Sequence, residues 1–102
     1  MIETCPSKII NIVATAAVEK KIRKMLKETG VNGYTLFDVR GDGESGYQGG
    51  QFESETNVLF MVVVSDSILE QLQERLKAFI QQGHHLMVFS SDVQVLTPSK
   101  FA

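Results

Sequence analysis

Residues 41–57, GDGESGYQGGQFESETN, lie near the middle of the 102-residue chain and interrupt its hydrophobic pattern. They hold five of the eight glycines and four acidic residues, with no Lys or Arg. Neither a period of two nor one of 3.6 runs through them, so the stretch reads as a long flexible loop. Loops beyond about a dozen residues inside a compact domain are usually functional or disordered. Two flanking strands that a turn of about two to five residues would join are instead held apart. That gives the length a use, and the rest of the chain is read as the frame that fixes the loop's ends.

On the N-terminal side, after a polar start with Pro6, Lys8 to Thr15 (KIINIVAT) is rich in Ile and Val and reads as a central strand covered on both faces. From Ala16 to Thr29, Val18, Ile22, Met25 and Leu26 recur at helical spacing, with Glu19, Lys20, Lys21, Arg23, Lys24 and Lys27 around the other side. This amphipathic helix closes at Gly30. A turn at Val31, Asn32 and Gly33 leads into a second strand, Tyr34 to Arg40, which enters the loop.

On the C-terminal side, Val58 to Val64 (VLFMVVV) is the most hydrophobic run and suits a buried strand better than a helix. Ser67 followed by Glu70 has the spacing of a capping box, and Leu69, Leu72, Leu76, Phe79 and Ile80 form the apolar stripe of a second helix. Gly83 ends it. Leu86 to Leu96 reads as a last strand, with Val93 and Val95 on one face and Asp92 and Gln94 on the other, stopped or left at a sheet edge by Pro98.

The order strand, helix, strand, loop, strand, helix, strand is that of an α+β ferredoxin-like βαββαβ domain. Residues 1–102 are expected to form one domain, an antiparallel four-stranded sheet with two helices on one face. Two helices leave the second face bare, and the apolar density of the strands predicts a homo-oligomer packed sheet against sheet.

Hydrophobic content of 43% and charged content of 22% are those of an ordinary globular protein, while a net charge of -2 argues against a nucleic-acid partner. With no apolar run of about 18 residues and no basic-then-apolar start, neither membrane insertion nor export is expected, and a cytoplasmic location is. The single cysteine, Cys5, excludes an internal disulfide and a thiolate cluster within one chain and reads as a free thiol. There is no Ser or Cys plausibly paired with a His and no phosphate-cradling glycine motif with Lys, so the chain is not expected to be an enzyme. The Lys20, Lys21, Arg23, Lys24 and Lys27 group reads as the solvated face of a helix, with docking to an acidic partner or membrane surface as the alternative.

The run VNGYTLFDVRGDG, Val31 to Gly43, resembles the segment of the PII signalling proteins that leads from their second strand into the T-loop. The likeness continues in order through a strand, a helix, a Gly turn and a final strand. The ending SDVQVL then TPSKF is similar to the short PII-like proteins associated with bicarbonate or inorganic-carbon transport. What the resemblance implies is a homotrimer that senses an adenine nucleotide (AMP, ADP, ATP or cyclic AMP), together with bicarbonate, in clefts between subunits. It also implies regulation of a partner, such as a membrane transporter, through the T-loop.

Carried over, the ligand-binding residues are Arg40, Gly41 and Gly43 at the loop base, Gly83, His84 and His85 with Gln82 in the turn before the last strand, and Lys100 with Ser99 in the tail. An arginine can pair with phosphate bidentately, and amides freed by glycine can approach it closely. The partner-binding loop carries Glu44, Tyr47, Gln51, Phe52 and Glu53. Classical PII proteins have an Arg and a Gln where Glu44 and Ser45 stand here, a glycine-rich turn with Lys where GHH stands, and paired tail arginines where Lys100 stands alone. Phosphate charge is therefore less compensated, and the expected effector is an adenine nucleotide of unspecified charge. No metal site is assigned, because the adjacent His84 and His85 would point to opposite faces of a strand. Two other readings stay open on the same scaffold: a ligand-independent interaction module, and a metal-binding relative resembling the divalent-cation tolerance proteins.

Overall fold

The structure, a computed structural model, describes residues 5–41 and 57–96. Strand β1 (Cys5–Thr15) passes through a single 3-10 turn, Ala16–Val18, into helix α1 (Glu19–Glu28). Strands β2 (Thr35–Val39) and β3 (Asn57–Val64) flank the loop, and helix α2 (Asp66–Gln81) and strand β4 (Met87–Val95) complete the chain. The four strands form one antiparallel sheet in the order β2-β3-β1-β4. The two most apolar segments are thereby its centre.

The sheet and helices share one core. Ile10, Ile12, Val58, Phe60, Val62 and Val64 point to the helices, which answer with Ile22, Met25 and Leu26 from α1 and Leu69, Leu72, Leu76 and Phe79 from α2. Burial along β3 alternates at every residue although its sequence does not. Leu59, Met61 and Val63, on the face without helices, are only half-buried in the single chain.

Both helices end in the same way. Val31 N–H donates to Leu26 O and Gly30 N–H to Lys27 O, while His84 N–H donates to Phe79 O and Gly83 N–H to Ile80 O. The glycines take φ of 89° and 104°, the left-handed conformation that this 6→1, 5→2 ending demands. Buried Thr29 uses its Oγ1 to donate to Met25 O and Leu26 O, so its hydroxyl is not left unpaired in the core.

Two details differ from the sequence reading. The cap of α2 is Ser65, whose side chain accepts from Ile68 N–H, so Ser67 lies inside the first turn and the Ser67/Glu70 spacing is coincidental. Asp66 then occupies the first helical position, where its charge faces the positive end of the helix dipole. Ile80, assigned to the apolar stripe, is 44% exposed, because one residue beyond buried Phe79 the helix has turned it about 100° from the core.

Two ion pairs tie elements together. The Lys8 ammonium pairs with Asp92 directly across β1 and β4, and Arg75 Nη2 donates to Glu28 Oε1 at 2.7 Å, linking α2 to α1. The hydrogen bond from Arg75, helped by its charge and that of Lys24, holds the Glu28 carboxyl below its usual range. A carboxylate whose value falls on folding contributes stability above its unfolded value and loses it as pH drops through the folded one. Glu28→Gln should therefore lower the thermal midpoint slightly near neutral pH, with the gap closing on acidification through the carboxylate range. A gap that stays constant across that titration would assign the loss to packing.

Candidate functional site

The strand directions gather one end of the molecule. Thr15 of β1 lies opposite Asn57 of β3, which lies opposite Val39 of β2, so Arg40 and Gly41 leave the sheet at this end. The C-terminus of α2 arrives at the same end, and the turn through Gly83, His84 and His85 returns the chain into β4, whose Met87 lies opposite Val13. Of the sequence-predicted ligand residues, Arg40, Gly41, Gly83, His84 and His85 are thus placed at one end of the sheet.

They are not placed together. Arg40 follows β2 and His85 precedes β4, the two edges of the sheet. Three interstrand steps separate those edges by about 14 Å. The end of β4 is farther still: Val95 lies opposite Cys5, at the other end of β1, about 33 Å away. Gly43, Lys100 and Ser99 lie outside the described residues, as do Glu44, Tyr47, Gln51, Phe52 and Glu53.

Among the placed residues the roles divide. Arg40 is exposed and makes no ion pair among the described residues, so its guanidinium is available for an anion. His84 is engaged: its ring stacks on Phe79 with centroids 3.9 Å apart and planes at 19°, the side-chain contact that accompanies this type of helix ending. His85 is exposed. No cluster of His, Cys, Asp and Glu able to hold a metal occurs among the described residues, and no helix among them is long and apolar enough to cross a membrane.

Two surface concavities lie elsewhere. One, of about 450 Å³, runs between α1 and α2 over Met25 and Phe79 and is rimmed by Lys21, Lys24 and Arg75. The other, of about 490 Å³, is at the far end of the sheet around Ser7, Lys8, Asp92 and Gln94. Neither is lined by Arg40, Gly83, His84 or His85. Of the predicted ligand residues only Gln82, at the rim of the first, lines either concavity among the described residues.

Sequence reasoning passed over the far face of the sheet as a set of named residues. Phe37, Met87 and Phe89 stand there at 42%, 61% and 52% exposure, in register with Leu59, Val13 and Asn11 respectively. The alternating positions of β4 carried the signal, since Met87, Phe89, Ser91 and Val93 share one side of the strand.

The architecture is the ferredoxin-like α+β arrangement, with its long connection between the second and third strands. A family model described as nitrogen regulatory protein P-II matches residues 7–100, and the chain belongs to that family. Among solved structures it is similar to CPII bound to ADP and bicarbonate, from Thiomonas intermedia K12, at 27% identity and a TM-score of 0.85, with 100% of each chain covered. CPII from the same organism bound to ADP, AMP and acetate matches at 27% identity and a TM-score of 0.84, with 98% of each chain covered. A protein of Thermus thermophilus described as PII-like matches at 25% identity and a TM-score of 0.81, covering 99% of this chain and 100% of that one. Comparison with curated protein sequences gives no match.

Proposed function

We propose that the chain is a PII-like signalling protein of the cytoplasm that acts as a homotrimer. An adenine nucleotide, with bicarbonate, binds in the clefts between subunits and biases the segment 42–56 among conformations, one of which docks on a regulated partner such as an inorganic-carbon transporter. The observation that carries this reading is the position of Arg40 and His85 at one end of the sheet but on opposite edges, with β4 ending at the far end. Residues so disposed on opposite edges of one sheet favour a ligand held between neighbouring chains over one held within a single chain. The CPII structures with ADP, AMP and bicarbonate support the choice of ligand class.

The exposed apolar face supports the assembly. It is the counterpart of a core cut in half, and a monomer would leave it in water. For signalling, the ligand must prefer one loop state over another. Couplings of about 1 to 3 kcal/mol would change partner affinity about 5- to 150-fold.

Calorimetric titration with AMP, ADP, ATP and cyclic AMP, each with and without bicarbonate, tests the reading. At least one nucleotide should bind well below millimolar, and Arg40→Ala should weaken it about 10- to 100-fold, the loss of a charge-assisted contact. If none binds below millimolar, the sensor reading fails and a ligand-independent interaction module on the same scaffold takes its place.

A further inference from the structure

The face of the sheet turned away from the helices has a polar residue in its middle. Asn11 lies opposite Met61 on β3 and Phe89 on β4, and Ile9 and Val13 flank it along β1. The next positions on the same face are Leu59 and Val63 on β3 and Met87 and Ser91 on β4. Asn11 is half-buried in the single chain, and its side-chain amide makes no hydrogen bond among the described residues. Two donors and an acceptor are therefore uncommitted within an apolar surround.

The same face carries no Lys, Arg, Asp or Glu on any of the four strands. A surface that will meet its own copy cannot hold like charges at its centre, and this one holds none. Its occupant is another copy of this chain. An apolar sheet face alone would let copies slide, because Ile, Val, Leu, Met and Phe pack in many offsets. Ser91 and Thr35 place hydroxyls on the same face, but Asn11 is the amide at its centre, and it removes that freedom. Any offset that buries its amide without a partner costs the desolvation of the group, whereas an offset that brings amides of neighbouring copies together satisfies them. A single polar residue within a hydrophobic seam fixes register and stoichiometry in coiled coils by the same means, at some cost in stability.

We propose that Asn11 is the residue that sets the register and copy number of this self-association surface, by hydrogen bonding to Asn11 of neighbouring copies. The proposal rests on the homotrimer reading above. The test is sedimentation of wild type, Asn11→Val and Asn11→Asp over a range of concentrations, with circular dichroism to verify folding. The Val variant should dissociate at least tenfold less readily yet sediment as a mixture of stoichiometries. The Asp variant, which places like charges together, should dissociate at least tenfold more readily at neutral pH. A Val variant that forms one species of wild-type size, or an Asp variant that assembles as wild type does, overturns the role of Asn11 and leaves the trimer standing. A monomeric wild type overturns both.

Discussion

Phe89→Asp should yield a folded monomer that no longer binds adenine nucleotide. Phe89 is 52% exposed on edge strand β4 of the single chain, so the substitution removes little from the intramolecular core. In a trimer packed sheet on sheet, however, it buries one uncompensated carboxylate per chain. The effective penalty is several kcal/mol per ion, so association should weaken by at least about 100-fold. Circular dichroism should report native secondary structure, sedimentation a monomer, and calorimetry no heat with ADP or AMP. Losing binding together with assembly is the informative part, because Arg40 is untouched and lies at the other edge of the sheet. A monomeric variant that still binds nucleotide would place the site within one chain and refute the intersubunit cleft.

The second large effect concerns Phe60, which is fully buried at the centre of β3. It lies opposite Ile12 on β1 and Leu36 on β2, with the Tyr34 ring 5.3 Å away at a tilt of 56°. Phe60→Ala removes a ring from the layer that both helices cover, and such truncations cost about 3 to 5 kcal/mol. For a domain of this size that is a large share of the total, and it corresponds to a fall in thermal midpoint of about 15 to 30 °C. Because self-association of the kind proposed would stabilise the folded chain, the melts should be compared at equal protein concentration. A fall of only a few degrees would mean that Tyr34 and Leu36 close over the space.

Much of the frame was legible because its signals are local. Ile22, Met25 and Leu26, or Leu72, Leu76 and Phe79, declare a helix face by spacing alone, and Gly30 and Gly83 mark the ends that their positive φ values require. The bare sheet face also followed from counting two helices against four strands. The cap at Ser65 was not legible, since Ser65 and Ser67 offer the same hydroxyl two residues apart and only the path of the chain chooses between them.

The candidate ligand residues could be named from the sequence, but their arrangement could not. Arg40 and the Gly83 turn could be picked out, but whether they adjoin depends on strand order, which is fixed by long-range pairing and leaves no mark near either residue. The engagement of His84 with Phe79 was hidden for a different reason. A histidine following a helix-ending glycine has the same sequence appearance whether its ring faces a ligand or packs on the helix it has just left. The bridge from Arg75 to Glu28 joins residues on two helices, and neither helix's own spacing announces it.

Strand β1 precedes the other described elements in the chain, yet it is central, and both of its neighbours are encoded far downstream. Its contacts with β3 begin only when residues 57–64 exist, and those with β4 when residues 87–95 do. At synthesis rates of about 5 to 20 residues per second, this Ile- and Val-rich segment waits about 2 to 10 s for its first partner and about 4 to 16 s for its second. During that interval its backbone edges and apolar side chains are open to any other unpaired strand, a neighbouring nascent chain of the same protein included. The order that places the most apolar strands at the centre of the sheet also leaves β1 without its partners through much of synthesis.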